Sequence, residues 1–183
     1  AWEADLSDED VYSNGDDAVG EMYADSTFTG STVTINGGTS IGGSSGQDLN
    51  SVKLTVASAS RHDGTAESGA LLKPTSGSGH NVGIIAVARD DLTIEWLDIS
   101  MDSLDSTNTN HAIRLDSGCG NCTIRNMLIH DKGGNPGSNG PAAIVSNQAA
   151  ATSNNWYFLN NIIYSIIETA DDSSSAINCR AFQ

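Results

Sequence analysis

The hydrophobic positions of this chain occur in short alternating stretches that return about every 30 residues. The recurring positions are Ile85, Ile113, Ile144 and Ile177 in one series, and Ile94, Ile124 and Phe158 in the other. Alternation with a period of two within each stretch predicts β-strands. Because both series keep nearly the same step, each unit is expected to stack on the next.

Strands that recur this often leave little room for helices between them. Winding the chain into a parallel β-helix would let each strand bond to its equivalents about 4.8 Å above and below. A right-handed coil is expected from the general preference of parallel crossovers. The predicted fold class is therefore all-β, a right-handed parallel β-helix, or β-solenoid, in which each turn of the coil is called a rung.

Equivalent side chains of successive rungs would stack into ladders. Asn126 and Asn160 share one position at a predicted bend, and Trp96 takes that place one rung earlier. Asn126 is expected to be buried, with its side-chain amide bonded to backbone groups and to its copy in the next rung. The predicted structural ladder consists of Asn126, Asn160, Ile94, Ile124, Ile113, Ile144 and Ile177.

The beginning of the chain differs from the repeats. Residues 1–25 contain nine acidic and no basic residues among scattered apolar ones. We expect this segment to be an acidic N-terminal cap or arm, because solenoids shield their first rung. Residues 26–183 would form the β-helix, with strands near residues 32–35, 52–56 and 70–74 before regular repeats begin near Asn81.

The last predicted strand, residues 175–182, ends one residue before Gln183. An uncovered rung invites association through its free strand edges. The sequence therefore predicts either a natural chain that continues past Gln183 or another copy that covers this rung.

Over about residues 80–182 the repeats resemble the right-handed parallel β-helix proteins of the pectate-lyase-like superfamily. Rungs in that family show the same pattern of Ile, a polar residue, Asn at the bend and Ile again, as in residues 124–129. The resemblance implies the fold, and it leaves the function open because one fold hosts many functions. The Arg-x-Pro-x-x-Arg motif of pectate lyases and the Asn-Thr-Asp and Arg-Ile-Lys signatures of polygalacturonases are absent from this sequence.

The charge of the chain limits its partners. A net charge of -15 arises from 23 acidic and 8 basic residues, and the basic residues form no cluster. Nucleic acid and anionic membrane surfaces are therefore poor partners. No apolar run reaches the ~20 residues of a membrane-spanning helix. A first residue of Ala rather than Met fits a processed protein, so we expect a secreted, extracellular or surface location, including a virion surface.

The basic residues suggest pairing more than catalysis. Arg125 aligns with Glu95 one rung earlier, which predicts an outward ion pair worth about 0.2 to 1 kcal/mol. Arg114 and Arg180 also fall in the repeating strands.

Acidic and histidine side chains offer weaker hints of catalysis. A glycosidase needs two carboxyls roughly 5 to 10 Å apart. The outer wall could supply them from Glu95, Asp98, Asp102, Asp116 and Asp131. His130 could pair with Asp131, although neighbours in a strand point to opposite faces. The sequence identifies no catalytic residue.

Metal and cysteine chemistry is also limited. Cys119 and Cys122 are too few for a structural zinc site, and they are either buried thiols or a local disulfide. No metal site is predicted, but calcium remains open as a cofactor because hard cations prefer carboxylate and carbonyl oxygens. The acidic groups at residues 8–10 and 16–17 and the oxygen-rich stretch 105–110 are the candidates.

These features favour a structural or adhesive β-solenoid of an extracellular, cell-surface, appendage or virion assembly. Its expected partners are other copies of itself or neighbouring subunits, with contact to a polysaccharide left open. The alternative is a carbohydrate-active enzyme, either a polysaccharide lyase or a glycoside hydrolase. The sequence leans away from an enzyme.

Overall fold

A computed structural model gives the arrangement of the strands and the packing of the core. The residues that it describes are 2–30, 32–39, 41, 48–74, 82–102, 110–116, 119–132, 142–146, 155–166 and 175–179. Within these ranges the protein is predominantly β, with one short helix, Trp2–Asp5 (α1), and a 3-10 turn, Ser58–Ser60. None of the described helices is long and apolar enough to cross a membrane.

The strands form three sheets. The first sheet contains Asp17–Met22 (β1), Ser51–Val56 (β3), Leu92–Glu95 (β6), Cys122–Arg125 (β9) and Trp156–Leu159 (β12). The second contains Leu71–Leu72 (β4), Asp98–Ser100 (β7), Leu128–Lys132 (β10) and Ile162–Ile166 (β13). The third contains Val33–Ile35 (β2), Val82–Val87 (β5), Asn110–Leu115 (β8), Ala142–Ser146 (β11) and Ser175–Cys179 (β14).

The chain visits the three sheets in turn and then returns to the first. Every strand pairing among the described residues is parallel, and it joins a strand to its equivalent about one repeat away. Phe28 fills the second-sheet position of the first rung through a parallel bridge to Leu72. The all-β prediction with parallel strands is confirmed, and this topology is compatible with a β-helix.

The register of the sheets matches the alignment made on the sequence. In the first sheet Ile124 lies between Ile94 and Phe158. In the third sheet the column runs through Ile85, Ile113, Ile144 and Ile177. The isoleucines in the middle of the stack are buried, whereas Phe158 is half-buried and Ile177 is 38% exposed in the last described rung. The core is therefore a narrow column enclosed by the three sheets.

The repeats begin earlier than the sequence suggested. β1 pairs with β3 along its whole length, so residues 17–22 belong to the first sheet and not to a separate arm. Ala18 and Gly20 point inward while Val19 and Glu21 are exposed. The alternation was obscured because Gly and Ala take interior places that later rungs give to larger side chains. Before this strand, α1 and the fully buried Leu6 cover part of the end of the stack.

The residues at the equivalent bends of successive rungs share one backbone conformation. Trp96, Asn126 and Asn160 all have a left-handed backbone, with φ of 68°, 52° and 54°. Asn tolerates this region better than most residues. The expected burial of Asn126 is wrong, because it is only half-buried.

A neighbouring asparagine makes the contacts that were expected of Asn126. The side-chain oxygen of Asn161 accepts a hydrogen bond from the Met127 backbone N–H at 3.0 Å. Its amide nitrogen donates to the Ile124 carbonyl, also at 3.0 Å. One side chain therefore ties the bend of one rung to the bend of the previous rung.

Candidate functional site

An outer loop, residues 57–69 between β3 and β4, packs against the wall of later rungs. The Glu67 N–H donates to the Asp98 carboxylate at 2.6 Å. The His62 ring contacts the Asn126 carbonyl at 2.8 Å, and the Arg61 guanidinium lies 4.8 Å from the centre of the Trp96 ring. Strand alternation would place these wall side chains on the surface, but the loop covers them and excludes water.

Beneath the outer loop, an imidazole lies between two carboxylates. His130 Nε2 is 2.8 Å from an oxygen of Asp98, and His130 Nδ1 is 2.7 Å from an oxygen of Asp131. The side chains of Asp98 and His130 are 0% and 1% exposed, whereas that of Asp131 is 45% exposed. We call these three residues the outer-wall triad.

The sequence argument against the pairing of His130 with Asp131 is wrong. Adjacent residues of a regular strand point to opposite faces. Asp131 instead has a left-handed backbone with φ of 63°, and Ser165 in the next rung has the same feature with φ of 53°. This local bend turns the Asp131 carboxylate toward the face that carries His130. No sequence signal distinguishes such a bend from a regular strand residue.

The contacts within the outer-wall triad favour the protonated imidazole. Burial opposes the charge of His130, but hydrogen bonds to Asp131 and Asp98 outweigh it and raise the pKa of the imidazole. Burial also raises the pKa of Asp98, more than its bond to His130 lowers it. A doubly protonated ring can donate to both carboxylates, which leaves neither nitrogen free to act as a base on a substrate.

The surroundings of the triad are polar and mostly paired. Lys73 bridges Glu67 at 3.0 Å and Asp102 at 2.9 Å. Tyr164 stacks on the His130 ring with the ring centres 5.4 Å apart. The two triad carboxyls contact opposite nitrogens of one ring, which suits the roughly 5 to 10 Å separation found in glycosidases. A sugar cannot reach Asp98, however, because that residue is fully buried.

A second cluster lies on the outer face of the first sheet. Arg125 contacts Glu95 at 2.6 Å, so the predicted ion pair is present. Glu95 also accepts a hydrogen bond from Thr55 at 2.9 Å and lies 3.8 Å from the Lys53 ammonium. The expected exposure is wrong, since the Glu95 side chain is only 6% exposed. Burial opposes its ionisation, but the bonds from Arg125 and Thr55 keep the pKa of Glu95 below its usual value.

The remaining sequence candidates lie apart from these clusters. Arg114 pairs with Asp116 at 2.7 Å, and Arg180 lies outside the described residues. Cys119 and Cys122 form a disulfide, which settles the alternative left open by the sequence. Among the described residues, no group of three or more His, Cys, Asp or Glu side chains could hold a metal ion. Residues 105–109 of the proposed calcium stretch lie outside the description.

Comparison with protein-family models, with curated proteins and with solved structures gave no match. The site is therefore defined by its geometry alone. The sequence suggested a pairing of His130 with Asp131 but did not place Asp98 beside them. It missed His62, Glu67 and Lys73 as their neighbours, because a polar loop carries no periodic signal that would indicate where it packs.

Proposed function

We propose that this chain is a right-handed parallel β-helix that serves as a structural or adhesive element of an extracellular, cell-surface, appendage or virion assembly. The observation that carries the proposal is the use of buried carboxylates to connect successive rungs. The carboxylates of Glu95 and Asp98 are both buried, so they hold rungs together and are out of reach of a substrate.

Each of two buried carboxylates joins three successive rungs. Glu95 accepts from Thr55 in the rung before it and from Arg125 in the rung after it. Asp98 likewise contacts the outer loop of the preceding rung through Glu67 and the following rung through His130. Buried charges persist only when they are paired and hydrogen-bonded. These groups are therefore committed to cohesion between rungs.

The proposed setting is outside the cell. The disulfide between Cys119 and Cys122 supports an oxidising compartment, since such bonds are rare in the cytosol. Strong negative charge favours solubility and disfavours anionic surfaces. The proposed partners are further copies of this chain or neighbouring subunits, and a polysaccharide is an additional ligand in the adhesive form of the proposal.

The second candidate is a carbohydrate-active enzyme, and one observation favours it. Asp131 presents a carboxylate to solvent, and its hydrogen bond helps to raise the pKa of the neighbouring His130. An exposed carboxylate beside an imidazole with a raised pKa is an arrangement that acid–base catalysis can use.

One experiment separates the two candidates. The protein is incubated with a panel of acidic and neutral polysaccharides, and unsaturated products and reducing ends are followed. The structural proposal expects no product from any member of the panel. Product formed by the parent and by Asp10→Asn, an exposed carboxylate outside the site, but lost in Asp131→Asn, would establish the enzyme instead.

A further inference from the structure

A cavity of about 740 Å³ opens at the N-terminal end of the stack. Its walls combine buried residues of the second rung, such as Leu54 and Leu72, with exposed side chains of the first rung, such as Val19 and Phe28. The apolar and aromatic lining residues are Trp2, Val19, Met22, Tyr23, Phe28, Val33, Leu54, Leu72 and Ile84. A volume of this size accommodates a small organic molecule.

The lack of a side chain at Gly20 gives room to the indole that forms one wall of the cavity. Gly20 occupies the interior position of the first sheet that Leu54 fills in the next rung. A Cβ added at Gly20 would lie 2.7 Å from the Trp2 ring, so the indole rests directly on the backbone. The Trp2 Nε1–H donates to the Tyr12 hydroxyl at 3.3 Å, which fixes the indole as one wall of the cavity.

The charged side chains among the described residues that line the cavity all have one sign. They are Glu3, Glu21 and Asp25, and the described lining contains no Lys, Arg or His. Glu21 and Asp25 are exposed, so their carboxylates face solvent at the entrance. Aromatic rings beside carboxylates favour a cation, because ring faces and carboxylates both attract positive charge.

We propose that this cavity binds a small amphiphilic cation, with an alkyl or aryl body inside and an ammonium group among the entrance carboxylates. The apolar walls select the body, and the acidic entrance selects the sign of the head group. This site is independent of the structural role proposed above.

Isothermal titration and tryptophan fluorescence test the proposal with decyltrimethylammonium below its micelle concentration. The expected result is saturable binding of one molecule per chain, with a fluorescence change that is lost in Trp2→Phe. Decyl sulfate, which has the same chain and the opposite charge, should bind at least about tenfold more weakly, since nearby charges alone supply that factor.

Matched variants separate the charge effect from the shape effect. The Glu21→Gln, Asp25→Asn pair should weaken binding of the cation by about tenfold. The Glu9→Gln, Asp10→Asn pair removes the same charge away from the cavity and should retain the parent affinity. Val33→Phe, which adds volume inside, should weaken both probes. The charge variants alter only exposed side chains, so they remain informative if the filled variant does not fold.

Three results would overturn the proposal. The first is the absence of saturable binding, and the second is equal affinity for the cation and the anion. The third is occupation of the cavity by a second copy of the chain. Sedimentation velocity would then show a dimer that Val33→Phe dissociates and that the cation fails to compete with.

Discussion

Removal of the imidazole from the outer-wall triad should destabilise the protein strongly. In His130→Ala, Asp98 keeps its bond from the Glu67 N–H but loses the only cation that contacts it in the described structure. Breaking a fully buried ion pair in this way costs about 3 to 5 kcal/mol. For a chain of this length each kcal/mol lowers Tm by about 2 to 4 °C. The expected decrease in Tm is therefore roughly 6 to 20 °C.

A double variant tests whether the cost arises from the unpaired charge. Replacing both partners, as in Asp98→Leu with His130→Leu, removes the pair without leaving a buried charge. Such replacements are often neutral or stabilising, so the double variant should be more stable than His130→Ala. Asp131→Asn is the control at the exposed end of the triad and should cost less than about 1 kcal/mol.

The double variant at Asp98 and His130 should also change the pH dependence of stability. His130 has a raised pKa in the folded state, so the folded protein binds its proton more tightly than the unfolded chain does. The stabilisation that His130 contributes is complete below about pH 6.5, which is the pKa of histidine in the unfolded chain. It is lost as the pH rises through the pKa of His130 in the folded protein. The raised pKa of Asp98 contributes in the same direction from its ordinary value of 3.8 upward. Stability of the parent should therefore fall with rising pH, and the double replacement of Asp98 and His130 by Leu should flatten this dependence above about pH 6.5.

Urea unfolding at about pH 5.5 and about pH 8.5 measures both effects. The parent should be more stable at the lower pH, and the difference should shrink in the double variant, which lacks both titrating groups. A variant that unfolds like the parent at both pH values would refute the reasoning. A parent that gains stability at the higher pH would show that the proton is not held by this triad.

Three further predictions concern the rungs themselves. Asn126→Leu should lower the free energy of unfolding by about 1 to 2 kcal/mol, because its backbone is left-handed, and Asn126→Gly should not, as chemical denaturation would show. Arg125→Ala leaves the buried Glu95 with fewer partners and should cost about 1 to 3 kcal/mol in urea unfolding, while any polysaccharide binding measured by isothermal titration should stay unchanged. Replacing Cys119 and Cys122 by Ala should cost about 2 kcal/mol, visible as a lower Tm than that of the oxidised parent.

Much of the architecture could be predicted from periodicity, while the contacts across the outer wall could not. Stacking of Ile94 on Ile124 follows from two stretches that share one pattern at one spacing. The first rung escaped detection because Gly20 breaks the hydrophobic pattern where a larger residue was expected. Asp131 departs from strand alternation because its left-handed backbone turns its side chain toward the opposite face.

The repeat has a consequence for how the gene could change in length. Ile124 follows Ile94 by 30 residues and Phe158 follows Ile124 by 34, yet the three remain register partners. Insertions between strands are therefore absorbed without disturbing the stack. One residue inserted within β9 would turn Ile124 toward solvent and Arg125 into the core, because side chains alternate strictly along a strand. Related sequences should differ by insertions and deletions between strands and should keep strand lengths constant. Alignments that permit gaps only between strands would therefore recover its relatives best.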